Sequence, residues 1–311
     1  MNRPRRLALQ VALVLGTLYI FGRAAWVEAA HPEPGLTWLF PAGDAPGKVG
    51  RTPRGLTGTG AAGCEPCHSE IVAEWRQSLH AGAWTDEVFQ AAYVIEPLAF
   101  CRNCHAPMNS GKGEPEGLAA AEGVACAVCH IRGGKVLTAG RVAHDVAMPH
   151  PVKVVPEMRD SRFCGNCHDF GFLVRPKGKP PFETDEPQQA TYSEWQMAHD
   201  ADPSVGHCQD CHMPLRDSRA RPGTRYRSHA FLGGNDLQML KQAVRVGVTA
   251  EREGPDVVVT ATLEPGRTGH AFPTGDLFRR GELRVKVDGH PDISGVIEMS
   301  RVFRDERLGA G

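Results

Sequence analysis

The 311-residue chain has no cysteine to spare. All ten cysteines fall inside five CxxCH segments: CEPCH at 64–68, CRNCH at 101–105, CAVCH at 126–130, CGNCH at 164–168 and CQDCH at 208–212. With none left over, a structural disulfide and a lone cysteine nucleophile are both excluded. An excess of one charge is also missing, since 35 Lys and Arg stand against 36 Asp and Glu for a formal net charge of −1. Tyrosine is scarce, at four residues, and no CxxCK segment occurs, so the five segments are uniform.

A CxxCH segment has a chemical reason for its spacing. A bare CxxC pair serves half a zinc site or a redox pair, and neither requires histidine directly after the second cysteine. Here histidine follows every time. With 14 histidines in the chain, five such coincidences would arise by chance with a probability of roughly 10⁻⁷, so the c-type heme attachment signature explains them. Two thiols three positions apart on a helix-like turn form thioethers with the two vinyl groups of one heme, and the next imidazole points at the iron. The attachment residues are therefore Cys64 and Cys67, Cys101 and Cys104, Cys126 and Cys129, Cys164 and Cys167, and Cys208 and Cys211. Their proximal iron ligands are His68, His105, His130, His168 and His212, for five covalent hemes c.

The N-terminus carries Arg3, Arg5 and Arg6 before an apolar run from Leu7 to Gly22. Residues 1–29 thus read as a signal peptide or signal anchor, short of the ~20 apolar residues of a spanning helix. Either form places the mature chain outside a bacterial cytoplasm, in the periplasm or otherwise exported, with the inner membrane within reach if the segment is retained. Residues 30–60 are a Pro/Gly-rich linker, because eight glycines and five prolines fall between positions 31 and 63.

Residues 61–238 form the expected pentaheme domain. Between Cys64 and His212 there are 149 residues for five hemes. That is about 30 per heme, below the ~40 at which a chain folds without metals, disulfides or partners. The hemes must supply the apolar core, and close packing of the macrocycles makes an electron path. Ser69–His80 and Ser193–His199 read as short helices among loops. Two propionates per heme would add about ten negative charges, which argues against nucleic acid as a partner.

Nine histidines remain for the distal iron positions. His80 ends a helical segment that begins after the first motif. His229 in SHAFLGG and His270 in GHAFPTG sit between small residues and an aromatic. His144 and His150 precede the fourth motif, and His199 and His207 the fifth; of these pairs His150 and His199 are favoured. His290 in a DGHPD turn and His31 in the linker read as surface residues. The distal candidates are thus His80, His150, His199, His229 and His270, and no catalytic residue is assigned.

CEPCH followed by WRQSLH, then CRNCHAP, then EGVACAVCH, resembles the multiheme cytochromes c grouped with the small tetraheme carrier of nitrification and with hydroxylamine oxidoreductase. The likeness covers roughly residues 60–235. It implies that the histidine of WxxSxH, here His80, is an axial ligand, and that the protein moves electrons in the periplasm through bis-histidine hemes. No tyrosine motif for a crosslinked heme and no CxxCK of the nitrite reductase type is present.

Residues 239–311 change character, with QAVRVGVTAERE, DVVVTATLE, ELRVKVD and SGVIEMS separated by turn residues. The expected architecture is a multiheme cytochrome c fold, mainly α with extensive loops packed around hemes, followed by a small antiparallel, sandwich-like β domain. The favoured function is electron transfer between a redox protein donor and acceptor, with a membrane quinol-linked complex or other multiheme cytochromes as candidates. The alternative is an oxidoreductase acting on a small nitrogen or sulfur compound at one heme with an open distal position.

Overall fold

The computed structural model of the chain describes residues 49–109, 113–140, 148–174 and 182–300. The N-terminal segment, His31 and His144 lie outside them. No helix of the described residues is long and apolar enough to cross a membrane.

Every CxxCH segment is one turn of helix, and the histidine marks where the helix stops. The described helices are α1 (Ala61–Arg76), α2 (Glu87–Ile95), α3 (Ala99–His105), α4 (Gly117–Glu122), α5 (Cys126–His130), α6 (Arg162–His168), α7 (Thr191–Ala201), α8 (Cys208–His212) and α9 (Leu237–Ala243); α3, α5, α6 and α8 end on a motif histidine, and α1 holds the first motif. Cysteines at i and i+3 share a helix face, and a break after the histidine frees its ring to turn toward that face. The backbone leaves the helix at Ala106 (φ −144°, ψ 60°), Ile131, Asp169 and Met213. In α1 the break falls on His68 itself (φ −125°, ψ 37°), after which the helix resumes.

The helix expected over Ser69–His80 is therefore the second half of a longer one, and it ends before His80. Val72 is buried beside Trp75, while Leu79 is exposed. The hydroxyl of Ser78 donates to the Trp75 carbonyl (2.7 Å) at the end of the helix, so the chain turns there and carries His80 inward. The helix expected at Ser193–His199 lies within α7.

Strands fill the gaps between helices in small ladders. β1 (Ile131–Arg132) and β2 (Lys135–Thr138) are antiparallel, and β3 (Val152–Val154) joins β2 in parallel. β4 (Asp169–Val174) pairs with β5 (Phe182–Ala190), and β6 (Leu215–Asp217) with β7 (Arg225–Arg227), both antiparallel. The C-terminal strands are two separate hairpins, β8 (Val244–Glu253) with β9 (Asp256–Pro265) and β10 (Arg280–Val287) with β11 (His290–Ser300). A sandwich-like domain is thus not what these residues form. Its condition is a shared apolar interior, and Val246, Val248, Val257, Val258, Ile297 and their neighbours are exposed instead.

Aliphatic core is sparse. Three buried clusters exist, around Leu137, Val155 and Met158, around Val49, Ala127 and Ile131, and around Ala61, Val72 and Trp75. What the helices and loops enclose is a cavity of about 3670 Å³.

Candidate functional site: a cavity ringed by cysteine and histidine

All ten cysteines and all five motif histidines line that single cavity. Shared among five groups, 3670 Å³ is about 730 Å³ each, inside the ~300–1,000 Å³ of ordinary cofactor sites. The motifs also lie against one another. The Cys64 thiol lies beside that of Cys126, Cys104 beside Cys167, and Cys164 beside Cys208, each free and close enough to shift its neighbour's titration. Cys129 is close enough to Cys164 and Cys167 to feel both. The fourth motif is therefore the hub, touching the second and fifth and neighbouring the third, and the first is peripheral, touching the third.

The motif histidines are held as metal ligands need to be. Nδ1 of His105 donates to the carbonyl of Ala83 (2.7 Å), that of His130 to Leu137 (2.8 Å), and that of His212 to Leu232. His168 Nδ1 meets the side-chain amide of Gln189 (3.1 Å). A backbone carbonyl on Nδ1 fixes the tautomer whose Nε2 lone pair is free for a metal. Phe89 stacks on the ring of His105 with centres 3.6 Å apart, which fixes that ring's rotation as well.

Three further imidazoles stand opposite three of these. His229 faces His130 with ring centres 6.0 Å apart, His80 faces His168 at 6.1 Å, and His270 faces His212 at 6.1 Å. Burial lowers the pKa of His68, helped by Arg221, His150 and His130 nearby. Burial is the first cause of a low pKa in His80 (about 3), His168 (about 4) and His229 (about 4), so all three are neutral at physiological pH. Neutral imidazole is the ligand form. His80 and His150 also have buried Nδ1 atoms without a hydrogen-bond partner.

An ion held between two imidazoles at about 2.0–2.1 Å from each nitrogen would need ring centres about 6 Å apart. The donor set, the facing rings and the cavity volume therefore fit covalently held heme.

Of the distal candidates, His80, His150, His229 and His270 line the cavity and His199 does not. His199 stacks on Trp195 (4.8 Å, 18°) with His207 beside it, and no motif histidine is among its ring contacts. His207 has a structural task, since its Nδ1 accepts from the Ser161 backbone N–H (3.4 Å) and caps α8. His290 has a described backbone only. His105 has no imidazole among its ring contacts with described residues.

Sequence reasoning missed the residues that aim the rings. The carboxylate of Glu74 accepts from the His229 backbone N–H (2.8 Å), the Ser228 hydroxyl (3.0 Å) and the Tyr226 hydroxyl (3.0 Å), with Arg216 at 3.4 Å. It thereby holds the His229 loop on α1. Phe231, at φ 47°, packs edge-on against His80 with centres 4.2 Å apart. A glutamate directly before each helical tryptophan, at Glu74 and Glu194, was the available signal. Glu74→Ala is expected to cost about 2–4 kcal/mol, since three donors lose one charged acceptor. Chemical denaturation checks the cost, and a change confined to the His130/His229 iron in the paramagnetic resonance spectrum checks the location.

Comparison with known proteins agrees with the site. Residues 63–131 match the family described as cytochrome c554 and c-prime. No curated protein matches the chain. Among solved structures, a penta-heme cytochrome c552 from Thermochromatium tepidum is similar in fold, with a TM-score of 0.54 at 19% identity, over 77% of this chain and 73% of that one.

Proposed function

We propose that this multiheme cytochrome c is an exported electron carrier that relays electrons through five covalently attached hemes between a redox protein donor and acceptor. Bound heme c supplies a one-electron couple at iron. The chain supplies the rest. His68 with His150, His130 with His229, His168 with His80 and His212 with His270 are the pairs that would hold the irons. The neighbouring thiols support a path from the first motif to the third, on to the fourth, and from there to the second and the fifth. The observation that carries the reading is the three facing pairs at 6.0–6.1 Å. Two imidazoles fill both axial positions and leave an iron suited to transfer alone. A quinol-linked membrane complex or another multiheme cytochrome is the candidate partner, and the basic leader ahead of the apolar run of residues 7–22 supports export and membrane proximity.

His105 favours a second reading, in which its iron keeps an open distal position and acts on a small nitrogen or sulfur compound. The two separate cleanly. Intact mass after organic extraction should show five retained hemes, and the oxidised protein should bind cyanide, nitrite and hydroxylamine slowly or not at all. A stoichiometric high-spin iron that binds them at once would replace the carrier by the oxidoreductase.

A further inference from the structure

The fourth motif neighbours three others, and its histidine is held differently from theirs. His105, His130 and His212 give Nδ1 to backbone carbonyls, those of Ala83, Leu137 and Leu232. A backbone carbonyl is there whatever the side chain, so these acceptors do not depend on residue type. His168 meets a side chain instead. The amide end of Gln189 lies 3.1 Å from its Nδ1, and Gln189 is only 9% exposed. A buried amide costs stability unless its polar atoms find partners, so its place beside the ring calls for a reason.

Strand register puts Gln189 there. β4 leaves directly from His168, and its second residue, Phe170, pairs with Gln189 on β5, one position before that strand ends at Ala190. The same amide end lies 3.4 Å from the hydroxyl of Thr191, the first residue of α7. Thr191 is in turn 3.0 Å from the hydroxyl of Thr274, which donates to Glu194 (2.5 Å). The amide is thus braced at the buried end of a line of polar groups. A half-turn of an amide exchanges its oxygen and nitrogen, so the neighbouring chemistry decides which end faces the ring. An imidazole that gives Nε2 to iron carries its proton on Nδ1. The oxygen of Gln189 is then the end that accepts it.

We infer that Gln189 is a positioning residue that sets the potential of the fourth iron through His168, and with it how electrons divide where the path branches toward the second and fifth motifs. The inference rests on the heme reading above. An acceptor on Nδ1–H makes the imidazole a more basic ligand, which favours ferric over ferrous iron and lowers the potential. Loss of the acceptor raises it. At His105, His130 and His212 that influence is fixed by the backbone, whereas at His168 it follows the identity of one side chain.

The test is a spectroelectrochemical titration of the full holoprotein, in mildly alkaline buffer, with two variants of opposite chemistry. Gln189→Leu removes the acceptor, and Gln189→Glu replaces a neutral acceptor by an ionised one, about twice as strong. One wave should move up in Gln189→Leu and down in Gln189→Glu, each by about tenfold in the reduction equilibrium, or about 59 mV for one electron, with the low-spin count unchanged. His80→Met identifies the wave, because methionine on the iron between His80 and His168 raises the potential of that same iron. Gln189→Glu keeps the size and shape of the side chain, so it decides the matter if Gln189→Leu fails to fold. The inference is overturned if no wave moves, if both variants move it in one direction as mere loosening would, or if the wave that moves is not the one His80→Met moves. Mass analysis of the wild-type peptide containing Cys164 and Cys167 separates the two failures. Heme absent from it would strike the heme reading and Gln189 with it, while heme present with no shift would strike Gln189 alone.

Discussion

Replacing Cys164, Cys167 and His168 together by alanine is expected to leave no folded protein, whereas the same triple change at Cys64, Cys67 and His68 should leave a weakened but folded four-heme one. The reason is position. The fourth motif lies beside the second through Cys104 and the fifth through Cys208, and it neighbours the third through Cys129, while the thiol beside Cys64 is that of Cys126. Removing a group from a fifth of the 3670 Å³ cavity leaves about 730 Å³, which at about 24 cal/mol per Å³ would cost about 17 kcal/mol. Half of that, after water refills part of the space, already matches the ~5–15 kcal/mol that holds a typical domain together. The three small aliphatic clusters offer no reserve. At the periphery the space opens to solvent, so the loss of the first heme is cheaper. Yield, heme count and protease resistance of the two matured variants decide it. If the fourth-site variant accumulates as a protease-resistant four-heme protein like the first-site one, the hemes are not the core in the sense argued.

How much of this was legible in the sequence depends on how local each feature is. The attachment segments were legible in full, because thioether formation and proximal ligation are settled within five consecutive residues. His80, His229 and His270 were legible as candidates from their immediate context, but which motif each would face was not. Facing is a tertiary property: His80 and His168 are 88 positions apart, and His130 and His229 are 99 apart. His199 shows the limit most plainly. Its context, a Glu-Trp pair on a helix before a motif, repeats that of His80, and only the fold shows that its ring lies outside the cavity. Gln189 and Phe89 were invisible for a related reason, and Glu74 was marked only by the Glu-Trp pair it shares with Glu194. Each acts by aiming a histidine far along the chain, and no spacing rule connects a carboxylate, an amide or a phenyl ring to a ring it meets only after folding.

The C-terminal strands divide along the same line. Alternation and turn residues located β8 to β11, since strand formation is a local preference. Sheet partnering was not local, and the expected sandwich gave way to two hairpins whose valines face outward. Such hairpins have little of their own to hold them to the heme region, which makes the loop between them decisive.

His270→Ala is expected to convert one iron, that of His212, to high spin and to speed proteolysis near residue 240. The loop from Gly266 to Arg279 is where the two hairpins meet the rest of the chain. Its contacts are few and specific. Glu194 accepts from Ala271 and Thr274, the hydroxyls of Thr191 and Thr274 are 3.0 Å apart, and Gly269 packs so tightly that a side chain there would meet Val205 at 2.7 Å. The His270 ring lies nearly parallel to that of His212, at 12°. An iron shared by those two rings would tie the loop to α8, and the hydrogen bonds would then need only to orient it. Without the shared ligand the polar contacts remain, at about 1–3 kcal/mol each, so the loop should open transiently rather than dissociate. A loss of about 3 kcal/mol would raise the population of the opened form, and with it the cutting rate, about 100-fold. Adding Glu194→Ala should speed the cutting further, because it removes the charged acceptor shared by Ala271 and Thr274. Magnetic circular dichroism counts the spin states, and timed limited proteolysis reads the opening. An unchanged low-spin count in His270→Ala would refute ligation by His270. A changed count with unchanged proteolysis would show that Glu194, and not the iron, holds the hairpins to the heme region.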